Sequence, residues 1–127
     1  MSDLPVIDLP TLHELTRYCD PGMLGVILDA FLSSAPQLLS QAERGQAAGE
    51  LETVARAIHT LRSGVGSLGA KRMAPIAAEL EAAARAGETA RCAALLTQLL
   101  AEYQAVRDRL ATILQDPARH IAAWQEP

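Results

Sequence analysis

Val54-Ala55-Arg56-Ala57-Ile58-His59-Thr60-Leu61-Arg62-Ser63-Gly64-Val65-Gly66-Ser67-Leu68 is the stretch whose spacing decides the fold. Val54, Ile58, Leu61, Val65 and Leu68 recur at steps of four, three, four and three. At about 100° per residue these five fall within roughly 40° of one direction, the pattern of an α-helix with one buried face. His59 points roughly 140° from that direction, so its ring is expected in solvent. Ala55, Arg62, Ser63 and Gly66 are expected beside it on the outer face, at i−4, i+3, i+4 and i+7.

Working outward, the same periodicity recurs along the chain, and no long run alternates apolar with polar residues. Val6 to Pro10 reads as a short extended lead-in, and Thr11 to Tyr18 as a short helix with Leu12 and Leu15 inward. Asp20-Pro21 pairs an N-cap oxygen with a first-turn proline. The helix it opens is expected to bury Leu24, Ile27, Phe31, Ala35, Leu38 and Ala42, to meet Pro36 in its interior, and to end at Gly45 and Gly49. Helices are predicted from about Glu50 to Leu68, Lys71 to Ala86 and Glu88 to Gln115. The third is expected to bury Met73, Ile76, Leu80 and Ala83, and to tolerate Pro75 near its first turn. The fourth carries Cys92, Leu95, Leu99, Tyr103, Val106, Leu110 and Ile113 on one stripe, and Asp116-Pro117 is its stop signal. Short connections between long helices imply antiparallel neighbours. The expected fold is all-α, an antiparallel up-down four-helix bundle with a short extra N-terminal helix. One domain fills residues 1–127, with a core over about 6–115 and a loosely structured tail over 116–127 in which Trp124 is the anchor.

Composition supports this and narrows function. A length of 127 residues suits one core. Half of the residues are hydrophobic but 3% are aromatic, so the apolar content is mainly Ala and Leu, which favours close-packed helices over a β-sandwich. A net charge of −4 leaves no basic footprint for nucleic acid. Cys19 and Cys92 stand far apart without a CxxC motif and read as reduced thiols. The first ten residues hold Asp3, Asp8 and two prolines rather than a signal-peptide core, and no continuous run of about 18 apolar residues suggests membrane insertion. A cytoplasmic monomer is the expectation.

The chemistry concentrates at His59. Gly64 and Gly66 each weaken a helix interior by about 0.5–1 kcal/mol relative to Ala. In so alanine-rich a chain, steric access to His59 is the expected reason for them. Arg62, one turn along, can offer charge-assisted hydrogen bonds to phosphoryl oxygens. A neutral imidazole is a competent nucleophile, and an exposed one is mostly neutral at physiological pH. His13 and His120 lack such a setting, and Glu79, Glu81 and Glu88 read as a solvated helix face without a catalytic pair.

His59-Thr60-Leu61-Arg62-Ser63, followed by Gly69 ten positions after the histidine, resembles the signature of histidine phosphotransfer (HPt) domains: histidine, any residue, leucine, lysine, glycine and a later glycine. Val6-Ile7-Asp8 resembles the family's usual opening, Phe31 with Pro36 and Leu38 its first long helix, and Leu80-Glu81 its third. The likeness covers about residues 6 to 114. Arg62 departs from the usual lysine but keeps the charge; Ser63 departs from the usual glycine but stays small; Ile58 stands where alanine is common. The resemblance implies a phosphoryl carrier without autokinase activity. His59 would accept phosphate from a receiver-domain aspartate of a hybrid sensor histidine kinase and pass it to the receiver of a response regulator. Arg62 would stabilise the phosphoryl group, while Ala55, Ser63 and Gly66 would give access and docking space. This chain would bind no cofactor or metal, the Mg²⁺ belonging to the receiver.

Two other readings compete. Gly64-Val65-Gly66-Ser67-Leu68-Gly69 matches GxGxxG, but that fingerprint needs a preceding strand, and here a helical stripe runs through it. A non-catalytic adaptor that binds a receiver or enzyme is the alternative kept open by the departures at Arg62 and Ser63. An autonomous histidine kinase would need an ATP-binding domain, for which 127 residues leave no room.

Overall fold

The computed structural model describes residues 4–17 and 20–115. Among these residues five α-helices follow one another: α1 (Leu9–Glu14), continued by a 3-10 turn over Leu15–Arg17, then α2 (Pro21–Ala48), α3 (Leu51–Ser67), α4 (Met73–Arg85) and α5 (Thr89–Gln115). No strand occurs among the described residues.

The starts of α1 and α2 are written in the sequence. The Asp20 side chain accepts from the Met23 backbone N–H at 2.8 Å, satisfying one of the donors that a helix N-terminus leaves free. Asp8 does the same for α1 through the Thr11 N–H at 3.2 Å. Pro75 is the third residue of α4, where its missing N–H removes no intrahelical bond. Pro36 lies inside α2, which continues through it to Ala48.

The long helices pack in a cycle: α2 on α3, α3 on α4, α4 on α5, and α5 back on α2. The α3 stripe is buried as expected, with Val54, Ile58 and Val65 fully enclosed, and so are all seven residues expected to face inward from α5. In α2 the inward row differs from the expectation. Leu28 and Leu39 are buried, whereas Ile27 is exposed and Leu38 half-buried. Rows through 24, 27, 31 and through 24, 28, 31 have the same mean period, and Ile27-Leu28 and Leu38-Leu39 are apolar at both choices. Periodicity alone could not separate them. The same ambiguity places Ala77 rather than Ile76 in the core of α4.

By length and composition α2 is apolar enough over Gly22–Ala48 to cross a membrane, which modifies the expectation drawn from unbroken apolar runs. Its inner row lines the core shared with α3 and α5. Met23, Val26 and Ile27 are exposed on its outer side. Cys92 is buried and free. Tyr18, Cys19, the Asp116-Pro117 stop, His120 and the tail with Trp124 lie outside the described residues.

Two glycines fix how α3 is seated. Gly69, just past its end, has φ +76, and a Cβ there would lie 2.7 Å from the Asp8 carbonyl oxygen. The Asp8 N–H donates to the Gly69 carbonyl at 2.6 Å, so the lead-in segment is fastened to the end of α3. Gly64 faces α2: a Cβ there would lie 2.9 Å from Cδ1 of Phe31. Its missing side chain therefore makes room for Phe31, not for access to His59 as the sequence suggested. Gly69→Ala combines left-handed strain with a backbone clash and should lower the unfolding free energy by about 2–4 kcal/mol in chemical denaturation. Gly66→Ala, at a helical position where an added Cβ meets nothing within 4 Å, should raise it by about 0.5–1 kcal/mol. An unchanged midpoint for Gly69→Ala would refute the close-approach account.

Candidate functional site

His59 stands on α3 with 68% of its side chain exposed. The five-residue stripe on the opposite side of the helix holds it there, because rotating the ring inward would expose Ile58 and Leu61. Arg62, Ser63 and Gly66 are exposed on the same side, as expected. His59, Arg62 and Ser63 line one shallow open depression. On the other flank of α3, Thr60 and Gly64 join Phe31, Gln37 and Leu38 in lining a groove toward α2.

Ala55 departs from the expectation. It is 1% exposed and so belongs to the core rather than to an accessible docking face. Ala55 lies roughly 100° from the stripe direction, nearer to it than His59 and on the flank that Arg62 shares. That flank meets α4, so helices on both sides of α3 widen its buried arc beyond the central stripe.

The largest correction concerns Glu81 of α4. The sequence reading put it on a solvated face, yet it is 7% exposed and is the one charged residue in the core of the described chain. Its Oε1 accepts from Nη1 of Arg62 at 2.9 Å. Its Oε2 lies 3.1 Å from Nδ1 of His59, accepts from Nε of Arg85 at 3.0 Å, and has Nη2 of Arg85 2.9 Å away as an ion pair. A helical projection contains the signal. From the α4 stripe of Met73, Ala77, Leu80 and Ala84, Glu81 is offset by roughly 70°, close to the roughly 80° by which Arg62 is offset from the α3 stripe. Both therefore lie at a seam between helices, where an acid and a base can pair. Glu79 remains exposed and contacts Arg91 at 3.5 Å, and Glu88 is exposed. His13 is half-buried on α1.

Burial alone would raise the Glu81 pKa, but hydrogen bonds from Arg62, Arg85 and His59 outweigh it and hold the carboxyl below its ordinary value. An ionised carboxylate has no proton to give, so Nδ1 of His59 carries the hydrogen and donates it to Oε2. In the neutral ring, Nε2 then holds the lone pair on the solvent side. The site thus presents a nucleophilic nitrogen with a guanidinium beside it and a fixed carboxylate behind it. Among the described residues no group of three or more His, Cys, Asp or Glu is placed to hold a metal ion.

The lowered pKa sets a pH dependence. A depressed acid contributes stability above its unfolded pKa, about 4.3, and loses it as pH falls through the lower folded value. Glu81→Gln should therefore reduce the unfolding free energy by about 1–3 kcal/mol at neutral pH, with the gap from wild type closing below about pH 4. Parallel denaturation series at pH 7 and pH 3 test this; a gap independent of pH would refute it.

The Hpt domain family matches residues 26–109, which include all of α3 and α4 and most of α2 and α5. Among solved structures, histidine-containing phosphotransfer protein B (HptB) from Pseudomonas aeruginosa PAO1 is 28% identical and superposes with a TM-score of 0.83, over 87% of this chain and 96% of that one. A rice protein assigned as a histidine-containing phosphotransfer protein, 17% identical, shares the fold with a TM-score of 0.77, over 87% of this chain and 80% of that one. No curated protein matches the chain in sequence. An exposed histidine on the second long helix of an all-helical chain, with the family match spanning it, leads to one conclusion: the chain belongs to the Hpt domain family, the histidine phosphotransfer proteins of phosphorelays.

Proposed function

We propose that His59 is the residue that carries the phosphoryl group, and that Nε2 is the atom that bonds to phosphorus. The observation that carries this is the pairing of an exposed ring with a buried ionised carboxylate at its Nδ1. In the forward step the Nε2 lone pair attacks the phosphorus of a receiver's aspartyl phosphate. The N–P bond forms as the P–O bond breaks, and the bonding pair leaves with the aspartate carboxylate. The ring, still protonated at Nδ1, becomes a cation, which Glu81 stabilises across the 3.1 Å contact. Donation to the second receiver is the reverse, with an acceptor aspartate as nucleophile. No proton is exchanged with solvent in either direction.

Arg62 is positioned by its i+3 spacing to bind the phosphoryl oxygens. Ser63 and Gly66 leave the approach open, and Ala55, being buried, contributes only to packing. The partners are receiver domains of a hybrid sensor histidine kinase and of a response regulator, and the Mg²⁺ that neutralises charge during transfer is the receiver's. We read the cyclic packing of α2 to α5 as an antiparallel up-down four-helix bundle acting as a cytoplasmic monomer, a carrier without autokinase activity.

Incubation with a phosphorylated receiver should place acid-labile label on the wild type and none on His59→Gln; equal uptake would end the proposal. Gly66→Leu should remain folded yet slow transfer at least tenfold through obstruction of the approach. Normal transfer by that variant would refute the access argument.

A further inference from the structure

We propose that Arg85 is a positioning residue for phosphotransfer: it clamps Glu81 against Nδ1 of His59, so that Arg62 can leave Glu81 for the phosphoryl group without disturbing the ring. The inference rests on His59 as the phosphoryl acceptor and divides labour between two arginines that meet the same carboxylate.

The division is visible in the contacts. Arg85 lies on the same helix as Glu81, at i+4, and brings two nitrogens, Nε at 3.0 Å and Nη2 at 2.9 Å, to Oε2. Oε2 is also the oxygen that faces Nδ1 of His59. Arg62 comes from the neighbouring helix, with a single contact of 2.9 Å, to the opposite oxygen, Oε1. Removing Arg62 therefore leaves the His59 side of the carboxylate held. Removing Arg85 leaves Oε2 with the His59 ring as its one partner while Arg62 holds the far oxygen, so the pull on Oε2 toward Arg85's side is lost and the carboxylate can turn about its Arg62 contact.

Charge favours that sequence of events. One carboxylate serves two guanidiniums in the resting protein. When a phosphoryl group bonds to Nε2, two negative charges arrive one helical turn from Arg62, and the ring becomes a second cation facing Oε2. Arg62 then has a stronger anion available than a carboxylate already shared with Arg85 and the imidazolium. Glu81 keeps charge balance after Arg62 departs because Arg85 and the ring remain. The other helix packed on α4 does not compete for this carboxylate: on α5, Arg91 contacts Glu79 at 3.5 Å and Glu102 contacts Arg72 at 2.7 Å.

Long-range ¹H–¹⁵N NMR of the unphosphorylated full chain reads the tautomer directly, with the His59 signals assigned by their loss in His59→Gln. Wild type should show the Nδ1–H form as the dominant neutral species. Arg85→Met should lower the ratio of Nδ1–H to Nε2–H by about threefold, the effect of weakening one charge-assisted hydrogen bond. Arg62→Met should leave the ratio unchanged while slowing transfer from a phosphorylated receiver by about tenfold. With more than half of the Arg85 side chain exposed, folding should survive, as far-ultraviolet circular dichroism would show. Should Arg85→Met not fold, Arg85→Gln carries the same comparison. A wild-type tautomer ratio in a folded Arg85 variant overturns the proposal, as does an equal shift in Arg62→Met. The tautomer is read before any phosphate is added, so its outcome is separate from whether His59 accepts label.

Discussion

Glu81 is the constraint around which the site is organised. A carboxylate that is almost out of water must find donors, and the seam between α3 and α4 supplies them from Arg62, Arg85 and His59. Its negative charge selects the tautomer of the histidine, and the tautomer leaves the lone pair on Nε2. One structural need, satisfying a buried acid, therefore also sets which nitrogen of the exposed imidazole keeps its lone pair. The arrangement has local cost, because charges at a helix seam stabilise less than apolar packing would. In exchange, an exposed ring that could otherwise turn freely has one fixed orientation.

Much of this was legible in the chain itself. The stripe of Val54, Ile58, Leu61, Val65 and Leu68 located α3 and put His59 in water, because spacing defines a helical face with little ambiguity. Asp20-Pro21 marked the start of α2, since an N-cap oxygen and a proline have few other reasons to adjoin. The likeness to the HPt signature pointed to the family that the wider comparison established.

What the sequence hid lies where two helices meet. Glu81 looked solvated because its own helix offers no partner but Arg85; Arg62 and His59 come from α3. Ala55 looked accessible because one helix considered alone has only an inside and an outside, whereas a neighbour on each side widens the buried arc. Gly64 was credited to access, although Phe31, more than 30 positions earlier, occupies the space. Ile27 and Leu28 were interchangeable by period, and only contact with α3 and α5 chose between them. In each case the deciding information is a distance between segments remote in sequence.

The notch at Gly64 has a mechanical consequence. Phe31 sits in it from α2, while on the opposite flank the Glu81 carboxylate grips Arg62 and His59 from α4. α3 is thus keyed on two sides, like a shaft held against turning about its own axis. A rotation large enough to redirect the imidazole would have to drive out an aromatic ring or tear apart the ionic knot. The imidazole is therefore held at one bearing relative to the bundle, and whatever docks there must fit itself to that bearing.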